Sequence, residues 1–243
     1  MADASRGSPG ARRIGGTLEL SFKEIASVQG IVKAVAELQL ASGEVEPPTD
    51  DQVALARSAG AHEGTPAASA PPAGGASVDT AAGPSMHALG LPEPKRRRFQ
   101  AVKLDNNAIE SLAGLGPVLA RVVSDPAGVK LLDLSFNRLS VGMASDIAAA
   151  GCEGLLKLYL HGNAVESLGE VVALAETCPS LRALSLHGCP VREHPAYRPF
   201  LVATFPNLVT LDFTPVTPAE RDAAVSWRKM TKVKVPPVAP PPS

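Results

Sequence analysis

The sequence has few cysteines and no long apolar run. Its three cysteines, Cys152, Cys178 and Cys189, are odd in number and lack the close spacing of zinc ligands. Neither a disulfide framework nor a structural zinc is therefore indicated. No stretch approaches the roughly 18 apolar residues of a membrane span, and no apolar segment follows the basic residues near the N-terminus. We expect a soluble, cytoplasmic protein that does not contact a membrane.

The sequence also lacks enzyme motifs and a large excess of charge. It contains no P-loop, no dinucleotide glycine fingerprint, no nucleophile elbow and no HExxH zinc motif. We therefore expect no enzyme activity, no catalytic residue and no cofactor. The formal net charge of −1 gives no general reason to expect nucleic acid as the main partner.

What the sequence does contain is an internal repeat. Four segments, which begin at Phe99, Val129, Leu155 and Leu181, follow the spacing LxxLxLxx(N/C)xL. The polar position of this template is occupied in turn by Asn107, Asn137, Asn163 and Cys189. A repeat of ~20–29 residues with this template is typical of leucine-rich repeats.

The template predicts one short parallel strand per repeat, with its leucines in a core shared with the neighbouring repeats. We predict an α/β leucine-rich-repeat solenoid with a parallel concave sheet, a helical or irregular convex side and a helical C-terminal cap. The asparagines are expected to form a structural ladder, because an amide can both donate and accept hydrogen bonds in a buried turn. A fifth, atypical strand, with Leu208, Leu211 and Phe213 in the core, is expected to end the array.

Composition divides the chain into four parts. Residues 1–40 contain an N-terminal extension and a degenerate capping repeat, because residues 18–28 fit the template. Residues 41–98 are predicted to be a disordered insertion rich in Ala, Pro and Gly that ends in a basic run. Residues 99–230 are the repeat domain with its cap, and residues 231–243 are a Pro-rich tail.

The insertion is acidic and its end is basic. Residues 41–94 hold seven acidic residues and one arginine, whereas Lys95–Arg98 are four consecutive cations. This basic run could be a nuclear localisation signal, a nucleic-acid contact or a dock for the acidic surface of tubulin, and it could equally be a solvated boundary. Within the insertion, Thr49 and Gln52 could form a capping box that begins one helical turn.

The predicted C-terminal cap has a well-specified helix start. Thr217 can cap the helix, Pro218 occupies the first helical position and Glu220 stands three residues after the cap. Trp227 has the position and bulk to cover the last repeat. Such a cap is needed because a solenoid otherwise ends in an open core.

Several motifs resemble one family of small leucine-rich-repeat proteins. They are LSFNRL (134–139), LYLHGN (158–163), SLGEV (167–171), SLHGCPV (185–191) and VTPAERDAAVSWRKM (216–230). With LELSFKEI (18–25), they resemble the leucine-rich repeat-containing protein 51 family over residues 17–35 and 95–230. The chain departs from the family pattern at Cys189, at Pro199 and in its longer insertion.

The resemblance implies an intracellular, non-enzymatic scaffold or adaptor in a cytoplasmic or ciliary axonemal assembly. The repeat subunits of axonemal dynein and of the spliceosome share the array and the capping motif. A nuclear RNA-processing adaptor is therefore the alternative. Both possibilities imply a protein partner that the sequence does not identify, and we expect the chain to be monomeric on its own.

The strand side chains that do not enter the core are predicted to face the concave surface. We predict that a protein partner contacts Lys103, Leu131, Asp133, Lys157, Tyr159, His161, Ser185, His187 and Asp212 there. Leu131 and Tyr159, with the flanking Phe136 and Leu156, are the residues most able to anchor a partner. Phe136 and Leu156 could instead pack into the turn and the neighbouring repeat.

Two histidines occupy matching positions in adjacent repeats. His161 and His187 should lie about one strand spacing apart, near 5 Å, which suggests a metal site, a pH-sensitive pair or an inert exposed pair. Zinc usually needs three or four ligands, and the other residues of this column are Ser135 and Thr214 on either side. We therefore expect no metal. The cysteines are expected to pack in the core.

Overall fold

The repeats form a single sheet with the strands in chain order. A computed structural model describes residues 16–54 and 86–231. The strands are β1 (Gly16–Glu19), β2 (Phe99–Lys103), β3 (Leu131–Asp133), β4 (Lys157–Tyr159), β5 (Ala183–Ser185), β6 (Thr210–Leu211) and β7 (Thr214–Pro215). Strands β1 to β6 are parallel, and β7 pairs with β6 in the antiparallel sense. The predicted parallel sheet is confirmed, with one short antiparallel strand added at its end.

Helices connect the strands on the other side of the core. They are α1 (Gln29–Ala41), α2 (Leu115–Val122), α3 (Met143–Ala149), α4 (Leu168–Thr177), α5 (Tyr197–Thr204) and α6 (Pro218–Met230). Short 3-10 helices span Met86–Leu89, Pro126–Gly128 and Pro190–Glu193. None of the described helices has the length and hydropathy needed to cross a bilayer.

The leucines of the template fill the core between the sheet and the helices. Leu132, Leu158 and Leu184 are paired across β3, β4 and β5, and each is at most 1% exposed. Complete burial of one such side chain stabilises the fold by about 1.5–3 kcal/mol. Because each leucine contacts its equivalents in the neighbouring strands, the core is continuous from one repeat to the next.

The asparagine side chains tie neighbouring repeats together. Asn137 donates hydrogen bonds to the carbonyl oxygens of Leu104 (2.9 Å) and Leu134 (3.0 Å), and its own oxygen accepts from the Ile109 amide at 3.0 Å. Asn163 makes the equivalent three bonds one repeat further on. Each amide therefore satisfies backbone groups of two repeats in a buried turn, where an unpaired group would cost about 1–3 kcal/mol.

The first repeat joins the array directly. Leu18, Leu20 and Ile25 are buried, and β1 pairs with β2 although most of the insertion separates them in sequence. Asn107 donates to the Leu20 carbonyl at 3.0 Å and accepts from the Ile25 amide at 3.0 Å. The insertion therefore lies between two repeats that are neighbours in the sheet.

Both flanks of the insertion make defined contacts. Met86 is buried in the core. The Gln39 side chain exchanges two hydrogen bonds with the backbone of Lys95, at 2.7 and 3.0 Å. Residues 50–54 are helical, and Thr49 and Gln52 form the reciprocal bonds of a capping box.

These flanks differ from the expectation of disorder throughout residues 41–98. The physical reason is local: one buried methionine and one buried glutamine side chain fix the ends of a segment whose average composition is poor in large apolar residues. The remainder of the predicted disordered segment, residues 55–85, lies outside the described residues. So do residues 1–15 and most of the predicted Pro-rich tail, residues 232–243.

The last repeat departs from the template. Strand β6 ends at Leu211, and Asp212 (φ 48°) and Phe213 (φ 61°) turn the chain back into β7. Two consecutive positive φ angles are the requirement of a tight two-residue hairpin turn. The prediction that Phe213 faces the core is wrong, because this turn leaves its ring 56% exposed.

Helices α5 and α6 pack against each other beside the last strands. The Thr217 hydroxyl accepts a hydrogen bond from the Glu220 amide at 3.2 Å and so caps α6. The Arg221 guanidinium donates to the carbonyls of Val202 and Phe205 at the end of α5, both at 3.1 Å. Trp227 packs against the core from α6. A capping role for α6 in the stability of the last repeat stays a prediction.

A buried carboxylate links α3 and α4. Glu170 is 1% exposed and accepts hydrogen bonds from the amides of Gly142 (3.1 Å) and Ala144 (3.2 Å) at the start of α3. The residue that precedes α3, Gly142, has no side chain to cap it. Glu170 therefore supplies the missing cap from the next repeat, where the helix dipole also favours a negative charge.

Candidate functional site

The face of the sheet opposite the helices carries the strand residues that alternate with the buried leucines. We call it the concave face. Its middle row consists of Lys103, Asp133, Tyr159 and Ser185, which are paired across β2 to β5. The row before it consists of Ala101, Leu131, Lys157 and Ala183. The structure therefore brings the predicted strand residues together on one surface.

The N-terminal half of the concave face is charged. The Lys103 Nζ atom lies 2.8 Å from a carboxylate oxygen of Glu19. Hydrogen bonding to Glu19, with further attraction by Asp105 and Asp133, raises the pKa of Lys103. The hydrogen bond from Lys103 likewise lowers the pKa of Glu19. One lysine thus stands among three carboxylates.

The C-terminal half carries an aromatic cluster, which we define as Phe136, Tyr159, His161, His187 and Phe213. His161 is at its centre. Its ring stacks on His187 with 4.4 Å between centroids and 13° between planes, and the edge-to-face contacts with Phe136 and Phe213 are 5.0 and 5.5 Å. Tyr159 lies 5.6 Å from Phe213. These separations are within the range of favourable aromatic pairs.

Ser185 fixes the central histidine from below. Its hydroxyl lies 2.8 Å from Nδ1 of His161, and the serine is fully buried. Burial of the ring, and then repulsion by His187, lowers the pKa of His161, while Asp133 and Asp212 act in the opposite direction. Because Ser185 is out of reach of a substrate or partner, this contact orients the imidazole and does not form an open nucleophile.

Asp212 organises the far edge of the cluster. One carboxylate oxygen accepts from the amides of Leu186 (2.7 Å) and His187 (2.9 Å), and the other accepts from the Tyr197 hydroxyl at 2.9 Å. The carboxylate holds the turn that presents Phe213. Nδ1 of His187 is 3.9 Å from the carboxylate and has no hydrogen-bond partner among the described residues.

The glycine of the sequence LHG at residues 160–162 is explained by this surface. Gly162 has φ +69°, and a Cβ atom there would lie 2.6 Å from the ring of Phe136. Both the backbone and the ring therefore require glycine. Phe136 itself has φ 53° and is 52% exposed. The equivalent residues of the other repeats, Asn106, Gly162 and Gly188, also have positive φ. The conformation therefore belongs to the repeat turn, and it costs a bulky residue of order 1–3 kcal/mol.

The histidine pair is not arranged to hold a metal. In stacked rings the nitrogen lone pairs lie in parallel planes, so they do not converge on one ion. Within the described ranges, no group of three or more His, Cys, Asp or Glu side chains could hold a metal ion. All three cysteines are buried, and burial raises the pKa of Cys152 and Cys178 to about 11. Their thiols are therefore poor nucleophiles at neutral pH.

A groove continues from the aromatic cluster beyond the strand ends. It has a volume of about 670 Å³, and its walls include His187, Arg192, His194, Arg198 and Phe213. The Arg198 guanidinium bonds both carboxylate oxygens of Glu220. This end of the face therefore carries Arg192 and the ion-paired Arg198 beside the carboxylate of Asp212, whereas the opposite end carries three carboxylates around Lys103.

The family follows from the sequence pattern that builds this sheet. A model of the family described as leucine-rich repeat matches residues 85–236, which is more than half of the chain. The chain belongs to the leucine-rich repeat family. Its leucine-rich repeats form the parallel sheet and bury the template leucines in one core.

Individual leucine-rich-repeat relatives match shorter parts of the chain. Leucine-rich repeat-containing protein 51 of Macaca mulatta is 38% identical over 131 residues, which are 54% of this chain and 66% of that protein. The chain thus spans just under two thirds of that relative's length. Dynein axonemal assembly factor 1 of Rattus norvegicus is 37% identical over 79 residues, or 32% of this chain and 12% of that protein.

Solved structures with leucine-rich repeats are also similar. In the crystal structure of the Drosophila melanogaster SNF/U2A′ complex, one chain is 25% identical, with a TM-score of 0.41. The match covers 55% of this chain and 70% of that chain.

The structure separates the nine predicted contact residues into two groups. Seven are at least partly exposed on the face: Lys103, Leu131, Asp133, Lys157, Tyr159, His161 and His187. Ser185 and the largely buried Asp212 instead support the cluster from within. The sequence analysis missed Phe213 as a surface residue. The signal that could have found it is the Thr–Pro pair directly after it, which does not continue the repeat template.

Proposed function

We propose that this leucine-rich-repeat chain is a non-enzymatic scaffold or adaptor that binds a protein partner through its concave face. The observation that carries the proposal is the aromatic cluster. Phe136 and Phe213 are both more than half exposed, although the residues around them on the strands are mostly polar. Interface energy is concentrated in a few aromatic and apolar anchors, and Leu131 and Tyr159 lie on the same surface.

The location that we propose for this scaffold is a cytoplasmic or ciliary axonemal assembly. Support comes from the similarity to dynein axonemal assembly factor 1 and to leucine-rich repeat-containing protein 51. The partner itself is proposed to be an axonemal or assembly protein. The chain is proposed to act stoichiometrically, because its described residues are devoted to a core and a binding face.

The alternative, a nuclear RNA-processing adaptor, is favoured by the basic run Lys95–Arg98 and by the resemblance to the spliceosomal repeat subunit. All four cationic side chains contact acceptors of the protein: in chain order, the Glu44 carbonyl, the Val123 carbonyl, the Glu44 carboxylate and the Asp125 carboxylate. These contacts favour a structural role at the boundary between the insertion and the array. We therefore keep nuclear localisation only as an outcome of the experiment.

Two replacements on the concave face test the proposal. The double variant Leu131→Asp, Tyr159→Asp should stay folded and lose its partner, because neither side chain belongs to the buried leucine rows. The loss of one anchor costs about 2 kcal/mol or more, which is about 30-fold in affinity. The measurement is co-purification of the tagged full chain with axonemal fractions of ciliated cells, with circular dichroism as the folding check.

Two controls define the outcome. Met230→Asp introduces the same charge at an apolar residue that is 79% exposed on α6, and it should retain the partner. Leu160→Asp places an unpaired carboxylate in the buried row and should unfold the array. Equal partner recovery by the folded double variant would rule out the concave face. Nuclear retention that depends on Lys95–Arg98 would favour the alternative.

A further inference from the structure

Two carboxylates on the concave face are held in place by neutral donors. Asp105 accepts a hydrogen bond from the Asn106 side-chain amide (2.7 Å), and the single proton of the Ser21 hydroxyl lies between Asp105 and Glu19. Asp133 accepts from the backbone amide (3.1 Å) and the hydroxyl (2.6 Å) of Ser135. Within the described parts of the chain, neither carboxylate forms an ion pair. A carboxylate has about four acceptor positions, so each can accept further hydrogen bonds.

The nearby positive charge does not neutralise this region. Lys103 forms its ion pair with Glu19 at 2.8 Å and stands beside Asp105 and Asp133 without pairing with either. The three carboxylates and one lysine leave an excess of two negative charges. Since the carboxylates are fixed before a partner arrives, a cation that binds them does not have to order them.

The carboxylates adjoin an aromatic surface. Asp133 is paired directly with Tyr159 across β3 and β4, and Tyr159 lies 5.6 Å from the exposed ring of Phe213. A cation next to this pair can bond a carboxylate and also lie over a ring face. A guanidinium suits both contacts best, because it is planar and can stack while its N–H groups donate in pairs.

We propose that the concave face binds a protein segment with one basic residue, preferably arginine, against Asp105 and Asp133 and one bulky apolar residue against Tyr159 and Phe213. This inference rests on the proposed function and specifies the partner of the same surface. Charge complementarity also gives the segment a direction. Its basic residue lies toward β2, and its apolar residue lies toward the groove.

The probe for this proposal is a library of random 16-residue peptides displayed on phage and selected on the immobilised full chain. Peptides that also bind the double variant Leu131→Asp, Tyr159→Asp are removed. We expect the remaining sequences to share an arginine or lysine at a fixed spacing from a large apolar residue. The variant Asp105→Asn, Asp133→Asn should bind synthetic copies of these peptides at least tenfold more weakly, because the amides keep the shape but not the charge.

Three further measurements make the result decisive. Glu153→Gln and Glu176→Gln, which remove exposed acids elsewhere, should leave binding unchanged. Added salt should weaken binding to the native chain more than to the asparagine variant. In a separate selection, Asp133→Lys should enrich acidic peptides. Circular dichroism checks that each variant is folded.

The outcomes distinguish this inference from the proposed function. The selected peptides could need Leu131 and Tyr159 but lack a basic residue, or they could bind the asparagine variant equally well. Either result rejects the proposed basic residue of the partner segment and leaves the concave face as the binding surface. If no peptide depends on the concave face, both the inference and that face are rejected. Selection of a shared basic residue whose binding is lost with Asp105 and Asp133 supports both.

Discussion

The middle of the array and its C-terminal end satisfy their buried turns in different ways. In the middle, Asn163 donates to two carbonyls and accepts from one amide. At the end, Cys189 occupies the equivalent position, and its thiol donates to the Leu160 carbonyl at 3.2 Å. Asp212 then reaches back to two amides of the preceding repeat. In the earlier repeats the amides equivalent to Leu186, those of Leu134 and Leu160, bond a backbone carbonyl of the next strand. At the end of the array a side-chain carboxylate takes the place of that carbonyl and also shapes the surface.

This difference shows where the molecule combines stability with binding. The side-chain amide of a ladder asparagine faces inward and bonds only the backbone of the buried turn. Asp212 bonds the turn and Tyr197 and sets the hairpin that exposes Phe213. The aromatic cluster therefore lies where the repeat pattern weakens. A partner that binds there would contact residues whose positions depend on the irregular end of the fold.

The largest effect is expected from breaking the middle of the ladder. Asn163→Ala leaves the Leu139 amide unsatisfied, at about 1–3 kcal/mol, and removes one of two hydrogen bonds at the carbonyls of Leu134 and Leu160, at about 1 kcal/mol each. We expect the free energy of unfolding to fall by about 4 kcal/mol in urea titrations followed by circular dichroism. Asn207→Ala, which removes one exposed bond to Pro179, is the control and should cost under about 1 kcal/mol. If Asn163→Ala also lowers the free energy of unfolding by less than about 1 kcal/mol, the asparagine ladder does not stabilise the array as proposed.

Removal of the buried Glu170 carboxylate on the convex side should destabilise the fold nearly as much. Glu170→Ala removes both bonds to the start of α3 and leaves two buried amides unsatisfied. We expect a loss of about 3 kcal/mol, from two charge-assisted bonds of about 1.5 kcal/mol each. Hydrogen exchange of the Ala144 amide should accelerate at the same time. Glu166→Ala, at an exposed position in the same repeat, should change neither quantity. Unchanged exchange at Ala144 would show that another group caps α3.

An asparagine in place of Cys189 would restore the ladder at the end of the array. Cys189→Asn should add an acceptor for the Val165 amide and a stronger donor to the Leu160 carbonyl, as asparagine does one repeat earlier. We expect the free energy of unfolding to rise by about 1 kcal/mol, the net value of one added hydrogen bond. A differential scanning melt would detect this as a higher Tm. A lower Tm would mean that the smaller thiol is required by the packing around Cys189.

These regions also differ in how far the sequence predicts them. The leucine rows and the asparagine spacing repeat several times, so the register, the parallel sheet and the buried rows follow from the period. Phe213 could not be placed correctly by that template, because its segment fits the LxL spacing while the hairpin depends on two backbone angles. The burial of Ser185 was also missed, since it results from rings contributed by other repeats. Likewise, composition averaged over residues 41–98 conceals the burial of Met86 and the packing of Leu91 against the core.

The smallest effect should come from protonation at the centre of the aromatic cluster. Burial, and then His187, lowers the pKa of His161, so the folded state favours the neutral ring relative to the unfolded chain, whose histidine pKa is about 6.5. The unfolded state therefore binds more protons as the pH falls below about 6.5, and the stability contributed by His161 is lost through that window. The stability contributed by His161 is fully present above about pH 6.5.

This pH dependence can be measured on one residue. An NMR titration should give His161 a pKa below the value of about 6.5 of an unfolded histidine, and the urea midpoint should fall between pH 7.5 and pH 5.5. His161→Gln should reduce that fall, whereas His194→Gln should not. The effect is small because the ring is only partly buried and water screens its charge. If His161 instead titrates above about 6.5, the attraction of the protonated ring to Asp133, Asp212 and Asp105 outweighs the effect of burial. The carboxylates of the concave face would then stabilise a cation at this position.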